Sequence, residues 1–294
     1  MSVSRQTDIY TKTETRRPDA TVIEGLGLQW LAQAQDEGGA HVVPVVRQPQ
    51  PGQLRTRAIA SGRCSAAAAH RFGAALALTH AAGADHFGQA PAGWDGDGWM
   101  GLAPLTYVGA ADPGRGRAWG EFYAEERLLP HLAAATSSGS IDTAGARLIE
   151  SLCERLRDGD FDSPQPQLVR SPAARIHGDL WSGNVLWAPR ASVDWAPERA
   201  GTGGLNTPLP EDVGVLIDPA AQGGHAETDL ATLGVFGQSH LEQIYAGYNS
   251  VSPLAEGWRE RVGLHQLHIL IIHAQLFGAG YGYETVAMAR RYAN

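Results

Sequence analysis

In the stretch Arg175-Ile-His-Gly-Asp-Leu-Trp-Ser-Gly-Asn-Val-Leu-Trp187, apolar residues flank a polar turn in the order strand, loop, strand. Ala174 to Ile176 run in, Val185 to Trp187 run out, and Gly178 and Gly183 loosen the backbone between them. The turn carries His177, Asp179 and Asn184. Phosphoryl transfer to a hydroxyl needs a carboxylate to accept the hydroxyl proton and an amide oxygen to help ligate the magnesium that bridges the phosphates. Asp179 suits the first task and Asn184 the second. A further metal carboxylate is required, and Asp218 is the candidate, at the end of the short apolar run Val215-Leu-Ile-Asp-Pro-Ala220.

His177-Gly-Asp-Leu-Trp-Ser-Gly-Asn184, followed by Ile217-Asp-Pro-Ala220 and Gly224-His-Ala-Glu-Thr-Asp-Leu-Ala231, resembles the fructosamine kinase (ketosamine 3-kinase) family. That family lies within the aminoglycoside phosphotransferase and choline kinase group of protein-kinase-like folds. His-Gly-Asp with a downstream Asn is shared across the group and implies a small-molecule kinase. Leu-Trp-Ser-Gly-Asn and Gly-His-x-Glu-x-Asp-Leu are more specific. With Phe122-Tyr-Ala-Glu-Glu-Arg-Leu128 and Leu264-His-Gln-Leu267, the resemblance takes in most of the chain from about Lys12 onward. It implies a bilobal protein-kinase-like α/β (α+β) fold, with a small β-rich N-lobe over 1–60 and a large, mainly helical C-lobe over 61–294. It also implies ATP and Mg²⁺ as cofactors and the 3-hydroxyl of a ketosamine, a fructosamine or ribulosamine, as acceptor. Two alternatives stay open: a kinase of another aminated metabolite, such as an aminoglycoside or amino sugar, and a non-catalytic nucleotide-binding pseudokinase.

Composition narrows the remaining classes. The chain has 294 residues, enough for a large core, and 43% hydrophobic content without an apolar run near membrane-spanning length. The N-terminus lacks an apolar signal core, and Cys64 and Cys153 form no disulfide framework, so a cytoplasmic location is expected. A formal charge of −8 argues against nucleic acid as a partner and is compatible with a cationic substrate. Nothing here indicates an oligomeric state.

Asp8 to Glu14 places β-formers around Lys12, and Asp19 is a candidate cap for a helix through about Gln35 that carries Glu24. A strand lysine held by a helix glutamate grips the α and β phosphates in kinases, and this pair is similar to the family's lysine strand and Glu-x-x-Gly-Leu helix. Only eleven residues precede Lys12 and none is glycine, a departure from the family pattern in which a glycine-rich loop covers the phosphates. Strands are expected at Val42–Val46 and Leu54–Ile59, a lobe boundary near Ala60, and an alanine-rich helix capped by Ser61 and ending near Ala82. Further helices are expected over Trp119–Ala135, Ile141–Leu156, Leu230–Phe236, Leu241–Tyr248, Trp258–Phe277 and Tyr283–Tyr292.

On the substrate side, a ketosamine presents a secondary ammonium beside a polyhydroxylated ring, which calls for an aromatic face near a carboxylate. Trp181 is the candidate face, and His225 and Glu227 are candidates for hydrogen bonds to the hydroxyls or the ammonium. The tryptophan-rich loop Gly93–Pro104 is a candidate substrate wall rather than a calcium loop, because acidic residues are missing after Asp95-Gly-Asp97. Asp229 reads as a brace for the catalytic loop. His265, His268 and His273 read as packed side chains rather than zinc ligands. The stretch 188–213, rich in Pro, Gly, Ala and Thr, reads as a surface insertion whose Trp195 could fold over the cleft as a lid.

Overall fold

The computed structural model describes residues 9–109, 111–195 and 209–293. In chain order the first elements are β1 (Ile9–Thr13), α1 (Asp19–Ala32), β2 (His41–Val42) and β3 (Gln53–Arg57). They are followed by α2 (Ala66–Ala81), the hairpin of β4 (Gly98–Met100) and β5 (Ala103–Leu105), and the helices α3 (Trp119–Phe122), α4 (Leu129–Ser137) and α5 (Thr143–Arg157). Strands β6 (Ala174–Ile176), β7 (Val185–Pro189), β8 (Asp212–Leu216) and β9 (Gln222–Gly224) precede α6 (Ala226–Leu233), α7 (Leu241–Val251), α8 (Trp258–Phe277) and α9 (Ala279–Ala289). No helix among the described residues is long and apolar enough to cross a membrane.

β1 and β3 pair antiparallel with Lys12 opposite Leu54. Residues 44–46 line the other edge of β3, where Val46 donates its N–H to Arg55 O and Arg57 donates to Pro44 O. The strand expected at Val42–Val46 is therefore divided. Its front, β2, leaves this sheet and pairs parallel with β8, which in turn pairs antiparallel with β7. α1 opens with Asp19 in its first turn, where a carboxylate meets the positive end of the helix dipole, and it passes at Gln33 into a tighter 3₁₀ turn.

Alanine-rich α2 begins later than expected. Ser65, not Ser61, is the cap, its Oγ accepting from Ala68 N–H at 3.2 Å. Residues 61–65 stay extended because Gly62 donates its N–H to Trp187 O at 2.7 Å, tying this segment to β7. α2 then crosses α7 at close range, since a Cβ at Gly73 would come within 2.0 Å of Ile244 O, and one at Gly247 within 1.8 Å of His70 O. The helix expected over Trp119–Ala135 is continuous but contains a π turn, Tyr123–Leu128, between α3 and α4.

One core joins α1, β2, β7 and β8 to α2, α6 and α7 through Leu31, Val42, Phe72, Val215, Leu230 and Tyr248. A second holds α3 to α5 against α8 and α9. A third, smaller cluster packs Ile23 of α1 against the β4–β5 hairpin and Ile269 of α8. A cleft lies where the first and third meet.

Candidate active site

β6 delivers the chain into a loop whose shape is set from below. Asp229, in the first turn of α6 and fully buried, accepts the His177 N–H at 2.7 Å and the Gly178 N–H at 2.9 Å, and faces His80 Nε2 at 3.1 Å. Burial works to raise this carboxyl, but His80, His177 and the amide donors outweigh it and hold it below its ordinary range. Gly178 has φ +83°, and a Cβ there would come within 2.1 Å of Ala220 O, so only glycine lets the loop lie against the segment after β8. His177 Nε2 sits 2.8 Å from Ile217 O, while Nδ1 accepts the Asp179 N–H at 3.3 Å. Burial lowers the pKa of this ring, leaving a neutral imidazole protonated at Nε2 that ties the loop to Ile217, the residue after β8.

Asn184 directs its amide nitrogen at Asp179, 2.7 Å from its carbonyl and 3.2 Å from Oδ2, and 3.4 Å from Asp218 O. Its amide oxygen therefore faces away from the Asp179 carboxylate. Burial raises the Asp179 carboxyl to about 7, against the pull of the Asn184 bond. Asp218 has φ +49°, a left-handed conformation uncommon for a side-chain-bearing residue, and its side chain is 47% exposed. Lys12 Nζ lies 2.7 Å from Glu24 Oε2 and 3.4 Å from Asp218 Oδ1. The two partners pull in different directions. Burial raises Glu24 to about 7, whereas for Lys12 burial is outweighed by Glu24 and Asp218, which keep the amine protonated. The contact is an ion pair at neutral pH, because a charged ammonium at 2.7 Å favours the carboxylate. The Asp218 carboxylate and the Asn184 amide oxygen are hard donors of the kind Mg²⁺ takes, so this donor set fits that ion.

Cavities meet at this point. One, of about 320 Å³, is walled by Leu28, Val43, Leu54, Ile59, Leu186 and Ile217 and reaches Lys12, Glu24 and Asp218. A second, of about 300 Å³, shares those three residues and adds Asp179, Asn184 and Trp181. A third, of about 500 Å³, opens outward from Asp179 and Trp181 between the β4–β5 hairpin and α8. Trp181 is half-buried, its ring set over Gly183, where a Cβ would come within 2.2 Å.

The family model for fructosamine kinases matches residues 19–294. The chain belongs to the fructosamine kinase family. A ketoamine kinase candidate of Synechocystis is 30% identical over 277 residues, 91% of this chain and 77% of that protein. A crystal structure of a fructosamine-3-kinase candidate from Thermobifida fusca is 36% identical, with a TM-score of 0.76 over 97% of this chain and 85% of that one. The mouse ketosamine-3-kinase is 29% identical over 172 residues, 58% of this chain and 46% of that protein, and several other curated matches likewise span about half of the relative's length. Choline kinase LicA of Streptococcus pneumoniae, 12% identical with a TM-score of 0.52 over 98% of this chain and 87% of that one, shares the protein-kinase-like fold alone.

In this fructosamine kinase family member, two of the expected substrate contacts lie elsewhere. Glu227 is 3% exposed and is gripped by Arg261 through Nε at 2.9 Å and Nη2 at 2.7 Å. Burial would raise its carboxyl, but His265 and Arg261 hold it down to about 2. His225 is buried as the cap of α6, its Nδ1 accepting the Glu227 N–H at 3.2 Å and its Nε2 lying 3.3 Å from Ser163 O. Both belong to the interior behind the loop, and neither lines the cavities that contain Asp179. Candidate ligand atoms of His225, Glu227 and His265 lie within 4.8 Å of one another, but the Arg261 guanidinium takes both Glu227 oxygens and supplies the positive charge a metal would bring. His265 and His268 are buried as expected, whereas half-buried His273 lines the outer cavity with Phe236, Phe277 and Tyr281, residues not singled out from the sequence. The tryptophan-rich loop contributes Trp99 to the second cavity. The first eight residues, where a glycine-rich loop would be sought, and 196–208 of the expected insertion lie outside the described residues. Trp195 does not cover the substrate side, because its Nε1 donates to Val42 O at 3.2 Å and Arg57 lies 5.2 Å over its ring.

Proposed function

We propose that this chain is an ATP-dependent kinase that phosphorylates the 3-hydroxyl of a ketosamine, a fructosamine or ribulosamine. The observation that carries the reading is the convergence of Asp179, Asn184 and Asp218 with the Lys12–Glu24 pair where an apolar cavity meets a polar one. The apolar cavity suits an adenine ring, and Lys12, oriented by Glu24, is placed to meet the phosphate oxygens. Asp179, raised toward neutrality by burial, accepts the proton of the attacking hydroxyl. Asn184 and Asp218 would hold Mg²⁺, which when bound neutralises charge on the phosphates. The Trp181 ring offers its face to the sugar carbons. Residues to about 60 act as the nucleotide clamp and 61–294 carry the base, the metal donors and the acceptor site. Family membership over 19–294 supports the acceptor class.

The test is ADP release with Mg·ATP and, in turn, fructosyl-lysine, ribulosyl-lysine, glucosamine, an aminoglycoside and choline. A tenfold or greater lead in kcat/KM for either ketosamine is expected. A lead for glucosamine or the aminoglycoside overturns the substrate and keeps the chemistry. Nucleotide binding without ADP release from any acceptor points to a pseudokinase instead.

A further inference from the structure

The outer cavity of about 500 Å³ begins at Asp179 and Trp181, so a substituent carried by the group that receives the phosphoryl has room to extend into it. Past Asp179 and Trp181 the described residues of its walls carry no charged side chain. Among the described residues lining it, Asp179 is the one carboxylate, and there is neither lysine nor arginine. The lining is instead a run of rings in mutual contact: Trp181 and Phe236 at 5.8 Å, Phe236 and His273 at 5.0 Å, His273 and Tyr281 at 5.0 Å, Phe277 and Tyr281 at 6.2 Å. His273 is committed through Nδ1 to Ile269 O at 2.8 Å, and burial lowers its pKa, so it adds no charge. Three of the apolar wall residues are unusually open to solvent: Leu102 at 66%, Phe277 at 64% and Phe236 at 38%. Large apolar groups left this open at a site already bounded by a reactive carboxylate are what a ligand's apolar part would cover.

On this geometry we propose that the acceptor is a ketosamine whose nitrogen bears an apolar substituent, an aryl-alkyl or branched alkyl group, seated between Trp181, Phe236, His273, Phe277, Tyr281 and Leu102. This deepens the proposed function and rests on it. The sugar lies at Trp181 with its hydroxyl at Asp179, its secondary ammonium passes the aromatic faces, which attract a cation, and the substituent lies against Phe236 and Phe277. A lysine substituent would carry its own ammonium and carboxylate past Asp179 into a wall that offers no further counter-charge, and that placement is disfavoured.

The experiment compares four N-substituted 1-amino-1-deoxyketoses, each made in both the fructose and the ribulose series: N-methyl, N-phenethyl, N-carboxymethyl and Nε-lysyl. The N-phenethyl compound is expected to lead N-methyl in kcat/KM by at least about tenfold, mostly through KM, the scale of discrimination an apolar pocket achieves. Phe236→Ser with Phe277→Ser is expected to lower kcat/KM for N-phenethyl at least about tenfold more than for N-methyl. Phe277→Ser alone, at a position 64% exposed, gives the same trend should the double variant fold poorly. A lead for the carboxymethyl or lysyl compound, or an N-phenethyl lead that survives the substitutions, overturns this inference while leaving a ketosamine kinase intact. Turnover of none of the compounds in either series overturns the functional reading itself.

Discussion

Replacing Asp229 with asparagine removes a charge that no solvent reaches and changes almost no volume. The carboxylate holds the His177 N–H at 2.7 Å through Oδ2 and the Gly178 N–H at 2.9 Å through Oδ1, with His80 Nε2 at 3.1 Å. Asparagine can keep one of the two main-chain bonds with its amide oxygen, but its NH₂ group then meets the other N–H donor to donor. A buried N–H left without a partner costs on the order of 1–3 kcal/mol, and the surviving bonds lose their charge assistance, worth about 1 kcal/mol more. The sum, about 3 kcal/mol, matches the lower end for breaking a buried charge network. Urea unfolding followed by tryptophan fluorescence should show the midpoint falling by about 1 M, taking a slope of about 3 kcal/mol per molar for a chain of this size. The displaced loop should also lower kcat by about tenfold or more, since misplacing a reacting group by an ångström is costly. A variant with the wild-type midpoint and wild-type kcat would refute the brace.

Asp179→Asn keeps the shape of the base but cannot take a proton, so kcat should fall by about 10²–10⁴ while calorimetry finds Mg·ATP affinity unchanged. Wild-type turnover would remove Asp179 from the mechanism. Lys12→Met strips the cation from between Glu24 and Asp218; a loss of about tenfold or more in kcat/KM for ATP is expected, and an unaltered value would place Lys12 outside the nucleotide site. The depressed Glu227 carboxyl sets an acid limit. Its folded pKa of about 2 lies below the ordinary 4.5, so its contribution, about 3 kcal/mol, is fully present above pH 4.5 and drains as pH falls from there toward 2. Glu227→Gln should flatten the stability curve in that window, and an unchanged acid limb in urea unfolding would mean that Arg261 contributes nothing through this pair.

Local chemistry made much of this legible in the sequence. His177-Gly-Asp179 between two short apolar runs is a strand-loop-strand by composition, and the loop contacts of Asp229 follow from an acidic residue opening a helix beside it. What composition cannot carry is partnership over distance. Arg261 reaches Glu227 from another helix and turns an apparent substrate contact into an interior salt bridge. Ser61 and Ser65 both stand ahead of the alanine run that begins at Ala66, and the bond from Gly62 to β7 keeps Ser61 out of the helix so that Ser65 starts α2. The aromatic wall is hidden in the sequence for the same reason, since Phe236, His273 and Phe277 look like ordinary helix residues until Phe236 stands between Trp181 and α8.

The parallel pairing of β2 with β8 means that the polypeptide link is not what holds the ends of the cleft together. His41 and Val42 are laddered to Val215 and Leu216, and Val43 adds its N–H to Leu216 O at 3.0 Å, just ahead of Asp218. Severing the connector between β3 and α2 would therefore leave two fragments still joined by main-chain bonds and by a core to which both contribute. Expressed separately, such fragments should behave as a complementing pair, recovering turnover on mixing, because β2, on the fragment that carries Lys12, is joined to β8, two residues ahead of Asp218, by hydrogen bonds rather than by covalent continuity.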